Sequence, residues 1–439
     1  IASMAKRLLG LSLVMVCILC LASIVIYNLP PFHESLSWRL ANLQTRVRRL
    51  VNPPEQVVFV PQELLDDIVQ KTLAAMTPSP TALGTPDPEP TPSAHAATAS
   101  ADPTITPPIT PSPTPIPEQF LLTGIRHEYQ KFNNCGPANL SMALSFWGWD
   151  GNQNDTGSYL RHSTLDKNVM PGEMQTFVFD NTDYQALTRV GGDLETIKKL
   201  LAAGFPVLIE KGYDPPDDDW MGHYLTLNGY DDAQAKFTAQ DSLIMPDYPL
   251  PYDLVEQRWR DFNHVYLVIY PQEHAPELES ILGTQFDQLA NYEHAAQKAR
   301  QEIEELAGRD LYFAWFNLGS SLLALEDYAG AAAAYDQAFA IYPTIPEDER
   351  PWRVMWYQDG PYEAYYHLAR YQDIINLANT TFFALGEYTL EESFYWRGMA
   401  KQALDDYNGA VFDLKKAVEL NPKYKPAQIA LQELGVETN

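Results

Sequence analysis

The stretch that decides the fold is Gln130-Lys131-Phe132-Asn133-Asn134-Cys135-Gly136-Pro137-Ala138-Asn139-Leu140-Ser141-Met142-Ala143. Gly136-Pro137 predicts a helix start, because proline is tolerated at the first helical position, where no N–H is needed. Leu140, Ala143, Leu144 and Trp147 then recur at the spacing of a helix with one buried face. Cys135 therefore stands at the positive end of a helix dipole, which favours thiolate and hence nucleophile. It is the one cysteine outside the N-terminal apolar run, which holds Cys17 and Cys20, so it has no evident disulfide partner. A lone cysteine is more often a small buried hydrophobe. The residues downstream argue for the nucleophile.

Asp193-Leu-Glu-Thr opens a second helix with Leu194, Ile197, Leu200 and Leu201 on one face and Gly204 as its stop. Phe205 to Glu210 reads as a buried strand and His223 to Tyr230 as another. A turn at Asp231-Asp232-Ala233 and a return strand from Lys236 to Asp241 follow, with a last strand over Phe262 to Tyr270. Helix first, then a run of antiparallel strands, is an α+β arrangement. A turn centred on Asp232 makes His223 and Asp241 face each other across the hairpin, close enough for a carboxylate to orient an imidazole. His264 is the rival base, and Asp231 and Asp232 are the alternative orienting acids. His127, His162 and the Asp217-Asp218-Asp219 run read as solvated, with Trp220 as a candidate wall of the cleft. No metal is expected, because no ligand-spaced His or Cys accompanies the acids.

Tyr129-Gln130…Asn134-Cys135-Gly136-Pro137-Ala138, then Gly222-His223-Tyr224 and Gly229-Tyr230-Asp231, resembles the papain-like cysteine peptidases of the bacteriocin-processing, double-glycine type. The likeness is greater to their stand-alone relatives, and it covers about a third of the chain. It implies Cys135 as nucleophile, His223 as general base and then acid, Asp241 as orienter of the imidazole, and Gln130 as side-chain donor to the oxyanion. Two departures limit it. No transporter ATPase is fused here, so leader trimming during export is not implied, and Ser242 follows Asp241 where relatives often carry proline.

Beyond Pro276, Trp315, Leu318-Gly319, Leu322, Ala331, Tyr335, Ala338 and Pro343 fall where a helix-turn-helix repeat of roughly 34 residues places them. Phe394, Gly398, Ala410, Leu414, Ala417 and Pro422 repeat the spacing. This resembles the tetratricopeptide repeats. Pro361 to Leu385 reads as a degenerate copy and Thr284 to Leu306 as an extra helix. So few repeats are near the minimum for a stable stack, so this part is expected to lean on its neighbour.

Upstream, Leu8 to Tyr27 is nearly uninterrupted apolar sequence, enough to cross a bilayer core of roughly 30 Å. An uncleaved anchor is the expectation and a cleaved signal peptide the alternative. Arginines on both sides leave orientation undecided by charge counting. Leu36, Leu40, Leu43, Val47 and Leu50 form one stripe, either a short coiled coil or a helix lying among lipid headgroups. Thr77 to Pro117 is a Pro/Thr/Ser/Ala spacer reaching at most ~130 Å, which points to a body held outside the cytoplasm.

The expected order is thus an anchor over 1–30, a juxtamembrane segment over 31–76, a linker over 77–117, a papain-like peptidase domain over 118–273 and an all-α repeat solenoid over 277–439. A net charge of −27 argues against nucleic acid as a partner, because its phosphates would be repelled. No cofactor is called for. The expected function is a membrane-anchored thiol peptidase acting on peptides or proteins, with the repeats docking a protein or peptide. An inactive surface adaptor, or another acyl-transfer enzyme such as a cell-wall peptide hydrolase or transamidase, is the alternative.

Overall fold

The structure, a computed structural model, describes residues 15, 58–66, 116–162, 166, 168–215, 218–385 and 389–437. The Leu8–Tyr27 run, the Leu36–Leu50 stripe and the Thr77–Pro117 spacer lie outside them, apart from Met15, Ile116 and Pro117. No helix among the described residues is long and apolar enough to cross a membrane.

Chain order in the first half is β1 (Gln119–Leu121), α1 (Cys135–Phe146), α2 (Gln153–Leu160), α3 (Pro171–Asn181), β2 (Gln185–Arg189), α4 (Leu194–Ala202), β3 (Val207–Tyr213), β4 (Met221–Asp231), β5 (Lys236–Asp241), β6 (Met245–Pro251), α5 (Tyr252–Trp259), β7 (Tyr266–Tyr270) and α6 (Ala275–Leu282). The strands form one antiparallel sheet in the order β2-β7-β3-β4-β5-β6, with β1 added along the far half of β4. Strand alternation sends Val207, Ile209, Leu225 and Leu227 into one core with Ile197, Leu200 and Leu201 of α4. On the other face Leu208 and Tyr224 meet Leu140, Ala143 and Leu144 of α1. α4 starts and stops as its sequence predicts: Asp193 accepts from the Thr196 N–H at 2.7 Å, and Gly204 takes a φ of +95° just past the end.

The hairpin differs from expectation. Thr226 faces Gln240 and Gly229 faces Thr238, with a bulge between Leu227 and Gly229. On that register Asp241 stands opposite Leu225, not His223. The cause is the turn: Asp232–Gln234 form a 3-10 helix closed by Ala235 at a φ of +48°, a longer connection than the tight turn expected. The last strand is also shorter, because Phe262 ends a 3-10 turn and Asn263 and His264 adopt left-handed φ before β7 begins.

The second half is helical: α7 (Gln288–Glu305), α8 (Gly308–Ala324), α9 (Tyr328–Ile341), α10 (Gly360–His367), α11 (Tyr371–Leu385), α12 (Glu391–Ala403), α13 (Tyr407–Leu420) and α14 (Lys425–Glu433). Close pairing of α8 with α9 needs Gly319, where a Cβ would stand 2.7 Å from the Tyr335 ring. Residues 58–66 dock on this bundle. Phe59 is buried edge-on against Phe339 (4.9 Å), and the Gln62 N–H donates to Asp373 at 2.9 Å. This part of the segment expected to lie beside a membrane therefore packs on protein.

The two halves share a core. Trp220 is buried, not a wall of the cleft; it stacks on Phe262 and packs against Phe313 and Tyr357. Asp218, expected to be solvated, instead accepts from Arg353 at Oδ1 (2.7 Å), and Arg353 also donates to the Asp219 carbonyl at 3.0 Å, while the Asp219 side chain stays 44% exposed. Truncating an aromatic so placed costs about 3–5 kcal/mol, so the repeats lean heavily on the sheet domain.

Candidate active site

Cys135 is the first residue of α1 and half-buried, and it is free of any disulfide. Its thiol sits in the field of the His223 ring and of the Tyr224 and Gly136 backbone, each of which favours the thiolate. Burial pushes the thiol up, but His223 and these backbone groups outweigh it and hold Cys135 below the ordinary thiol value. His223, near the start of β4, is only 3% exposed. Its Nε2 bonds Asp241 Oδ1 at 2.9 Å, which leaves Nδ1 for the sulfur. Burial disfavours the imidazolium, yet Asp241 and then Cys135 raise its pKa to about 9. Both shifts run toward the thiolate–imidazolium form of the pair.

Asp241 closes β5. Burial would raise its carboxyl, but the imidazolium and the Leu243 N–H, donating to Oδ1 at 2.9 Å, keep it low. The expected partners therefore meet despite the shifted register: the pairing of β5 with β4 ends at Gln240, and the backbone N–H groups of Leu243 and Ile244 hold Asp241 Oδ1, the oxygen that bonds the ring.

Gln130 approaches from the loop before α1. Its N–H donates to the Ser242 carbonyl at 2.8 Å, and the Ser242 hydroxyl donates to its Oε1 at 2.8 Å. With the oxygen occupied, the amide N–H2 is the end left to donate. Ser242 is itself held by Asn139 Nδ2 at 3.0 Å, which also donates to the Cys135 and Tyr224 carbonyls. Asn139 and Ser242 were missed in the sequence. The available signal was a polar residue four positions after Cys135, on the face that the apolar spacing buries.

The other candidates lie elsewhere. His264 is buried against Glu302 at 3.0 Å, and burial, Lys298 and Arg260 outweigh that partner and lower its pKa to about 4. Asp231 caps the turn through Gln234, and Asp232 binds Lys198 and Tyr252. His127 and His162 are half-buried rather than solvated, with His127 Nδ1 on Gln240 at 3.0 Å. No cluster that could hold a metal ion occurs among the described residues.

Residues 122–272 match the family model described as the peptidase C39 like family. This part of the chain is a C39-like peptidase domain. Residues 312–345 and 391–424 each match tetratricopeptide-repeat models, so two such repeats follow it. Among solved structures, a protein described as a C39-like peptidase from Bacillus anthracis is 17% identical over 35% of this chain and 98% of its own, with a TM-score of 0.30. A double-glycine-motif protease from an AMS/PCAT transporter, solved with a leader peptide, is 16% identical over 35% of this chain and 99% of its own, with a TM-score of 0.26. No curated protein is significantly similar to the chain.

Proposed function

We propose that the protein is a thiol peptidase that hydrolyses peptide bonds with Cys135 as nucleophile, His223 as base and acid, Asp241 as orienter and Gln130 as oxyanion donor. The reading is carried by His223, bonded to Asp241 at 2.9 Å, and Cys135 at the helix start, whose shifts both favour the thiolate–imidazolium form. The thiolate attacks the carbonyl carbon, forming a C–S bond while the carbonyl π pair moves onto oxygen. That oxyanion meets the Gln130 amide, in a role whose loss costs about 3–4 kcal/mol in comparable sites. The imidazolium then protonates the leaving nitrogen as the C–N bond breaks. Water, deprotonated by the now neutral ring, attacks the thioester and releases the acid, and the thiolate returns.

The repeats are proposed to dock a protein or peptide. The N-terminal apolar run is proposed to anchor the chain in a membrane, with the catalytic body outside the cytoplasm. The apolar length of Leu8–Tyr27 and the Pro/Thr-rich spacer after it support this. Cys135→Ala should remove peptide hydrolysis, by ~10⁴-fold or more, while circular dichroism and the unfolding midpoint stay near those of the parent. Undiminished turnover in that variant ends the proposal.

A further inference from the structure

The helical half contains a cavity that the mechanism above does not use. Tyr312 of α8, Phe339 of α9, Leu377 of α11, and Tyr342 and Trp352 from the connection between α9 and α10 line it. Phe59 of the docked 58–66 segment lines it too, and no charged side chain does. Its volume is about 40 Å³.

Two polar atoms of this lining have no hydrogen-bond partner. Tyr312 is fully buried with its hydroxyl unpaired, and the Trp352 Nε1–H is buried and unpaired as well. Buried polar groups are nearly always satisfied, and leaving one unmade is unfavourable. An indole N–H can only donate, whereas a phenol donates or accepts. Such a pair among apolar rings suits an uncharged group that carries an acceptor oxygen. One oxygen needs roughly 10–15 Å³, so the cavity has room for it on a ring seated where Phe59 sits.

The segment that brings Phe59 here is held lightly. Phe59 and Pro61 are buried, but Gln62, Glu63, Leu65 and Asp66 are exposed. One backbone hydrogen bond, from the Gln62 N–H to Asp373, ties it to α11. The ion pair of Glu63 with Arg370 spans 3.9 Å with Glu63 71% exposed, and pairs of that kind contribute little. Arg370 is in any case bonded to Asp336 and Asp373. Few buried contacts put a segment at the low-stability end of a structure, where local opening is easy. A phenylalanine anchor also leaves both donors unmet.

We propose that this cavity is the anchor site of a peptide docked on the repeats, with Val58–Asp66 as its resident occupant. An incoming peptide with tyrosine in the place of Phe59 displaces that segment, and its phenolic oxygen takes the Tyr312 hydroxyl and the Trp352 N–H. This deepens the docking reading of the repeats and rests on it. The probes are fluorescent peptides of residues 56–66 carrying phenylalanine or tyrosine at the anchor, titrated by anisotropy into the full chain in the Cys135→Ala background, where no peptide is cleaved. With Phe59→Ala added, the tyrosine peptide should bind about three- to tenfold more tightly than the phenylalanine peptide, as one or two modest hydrogen bonds supply. Tyr312→Phe should bring that ratio toward one. Where Phe59 is kept, binding should be about tenfold weaker or more, because the chain's own segment competes at high effective concentration. Saturating tyrosine peptide should then speed amide hydrogen exchange over 58–66, read by mass spectrometry. Equal affinity of the two peptides for the Phe59→Ala chain overturns the proposal. So does unchanged exchange over 58–66, a measurement with Phe59 in place that decides even where Phe59→Ala fails to fold. Equal binding with and without Phe59 would put the peptide elsewhere on the protein, sinking the anchor site and leaving the docking reading standing. No binding of either peptide to either folded chain would count against both.

Discussion

The sheet domain contains two buried histidines, each bonded through Nε2 to a carboxylate at nearly the same distance: His223 to Asp241 at 2.9 Å and His264 to Glu302 at 3.0 Å. Both rings are 3% exposed. Their acid–base characters are opposite. His223 is raised to about 9 and His264 lowered to about 4. Burial opposes the charged form in both, so the difference lies in the neighbours. Glu302 is shared: Arg260 Nε sits 3.0 Å from the same oxygen that His264 bonds, and Lys298 adds a second cation. Asp241 serves one ring, and that ring also faces a thiol able to ionise. A histidine beside a carboxylate is therefore no mark of catalysis in itself; the surrounding charge decides.

The largest expected effect separates the two rings by function. His223→Ala should lower kcat/KM by ~10²–10⁴, the range of a lost general acid–base group. His264→Gln, which can still donate to Glu302, should cost about 1–3 kcal/mol of stability and leave turnover within about threefold in the folded fraction. Equal losses of activity would erase the distinction.

Next in size is the oxyanion side, which the His264 site lacks. Gln130→Ala should lower kcat by ~10²–10³ with little change in KM. Ser242→Ala should lower it by about tenfold or less, since it frees the amide without removing it. A Ser242 variant as impaired as the Gln130 variant would show that the hydroxyl does more than hold the carboxamide.

The smallest effect is spectroscopic. Ring titration by NMR should place His223 near pH 9 and His264 near pH 4. The signs follow for stability. His223, raised above its unfolded value of about 6.5, contributes stability that is complete below that pH and is lost as pH climbs toward 9. His264, depressed, contributes above about 6.5 and loses stability as pH falls toward 4. Two histidines titrating together near 6.5 would contradict the comparison.

Much of this site could be read from the residues. The helix start at Gly136-Pro137 placed the thiol, and the α4 cap and stop were legible in Asp193 and Gly204, because local chemistry dictates such ends. The pairing of His223 with Asp241 was reached through a register the fold does not use. The bulge at Leu227–Gly229 and the 3-10 turn moved the strands, and backbone donors after Asp241 restored the contact. The repeat helices were visible in their small-residue spacing. The Arg353 grip on Asp218 and Asp219, Tyr357 over Gly222, and Phe59 in the repeat bundle were not. They join residues more than a hundred positions apart, and no local pattern marks their partners.

The ionised Cys135–His223 pair is tested most directly by the rate of Cys135 alkylation with iodoacetamide across pH 4 to 10. The half-point should lie below the ordinary thiol value of about 8.5, and His223→Ala should move that half-point up toward the ordinary range. A parent profile with its half-point near 8.5, unchanged on loss of His223, would contradict the account.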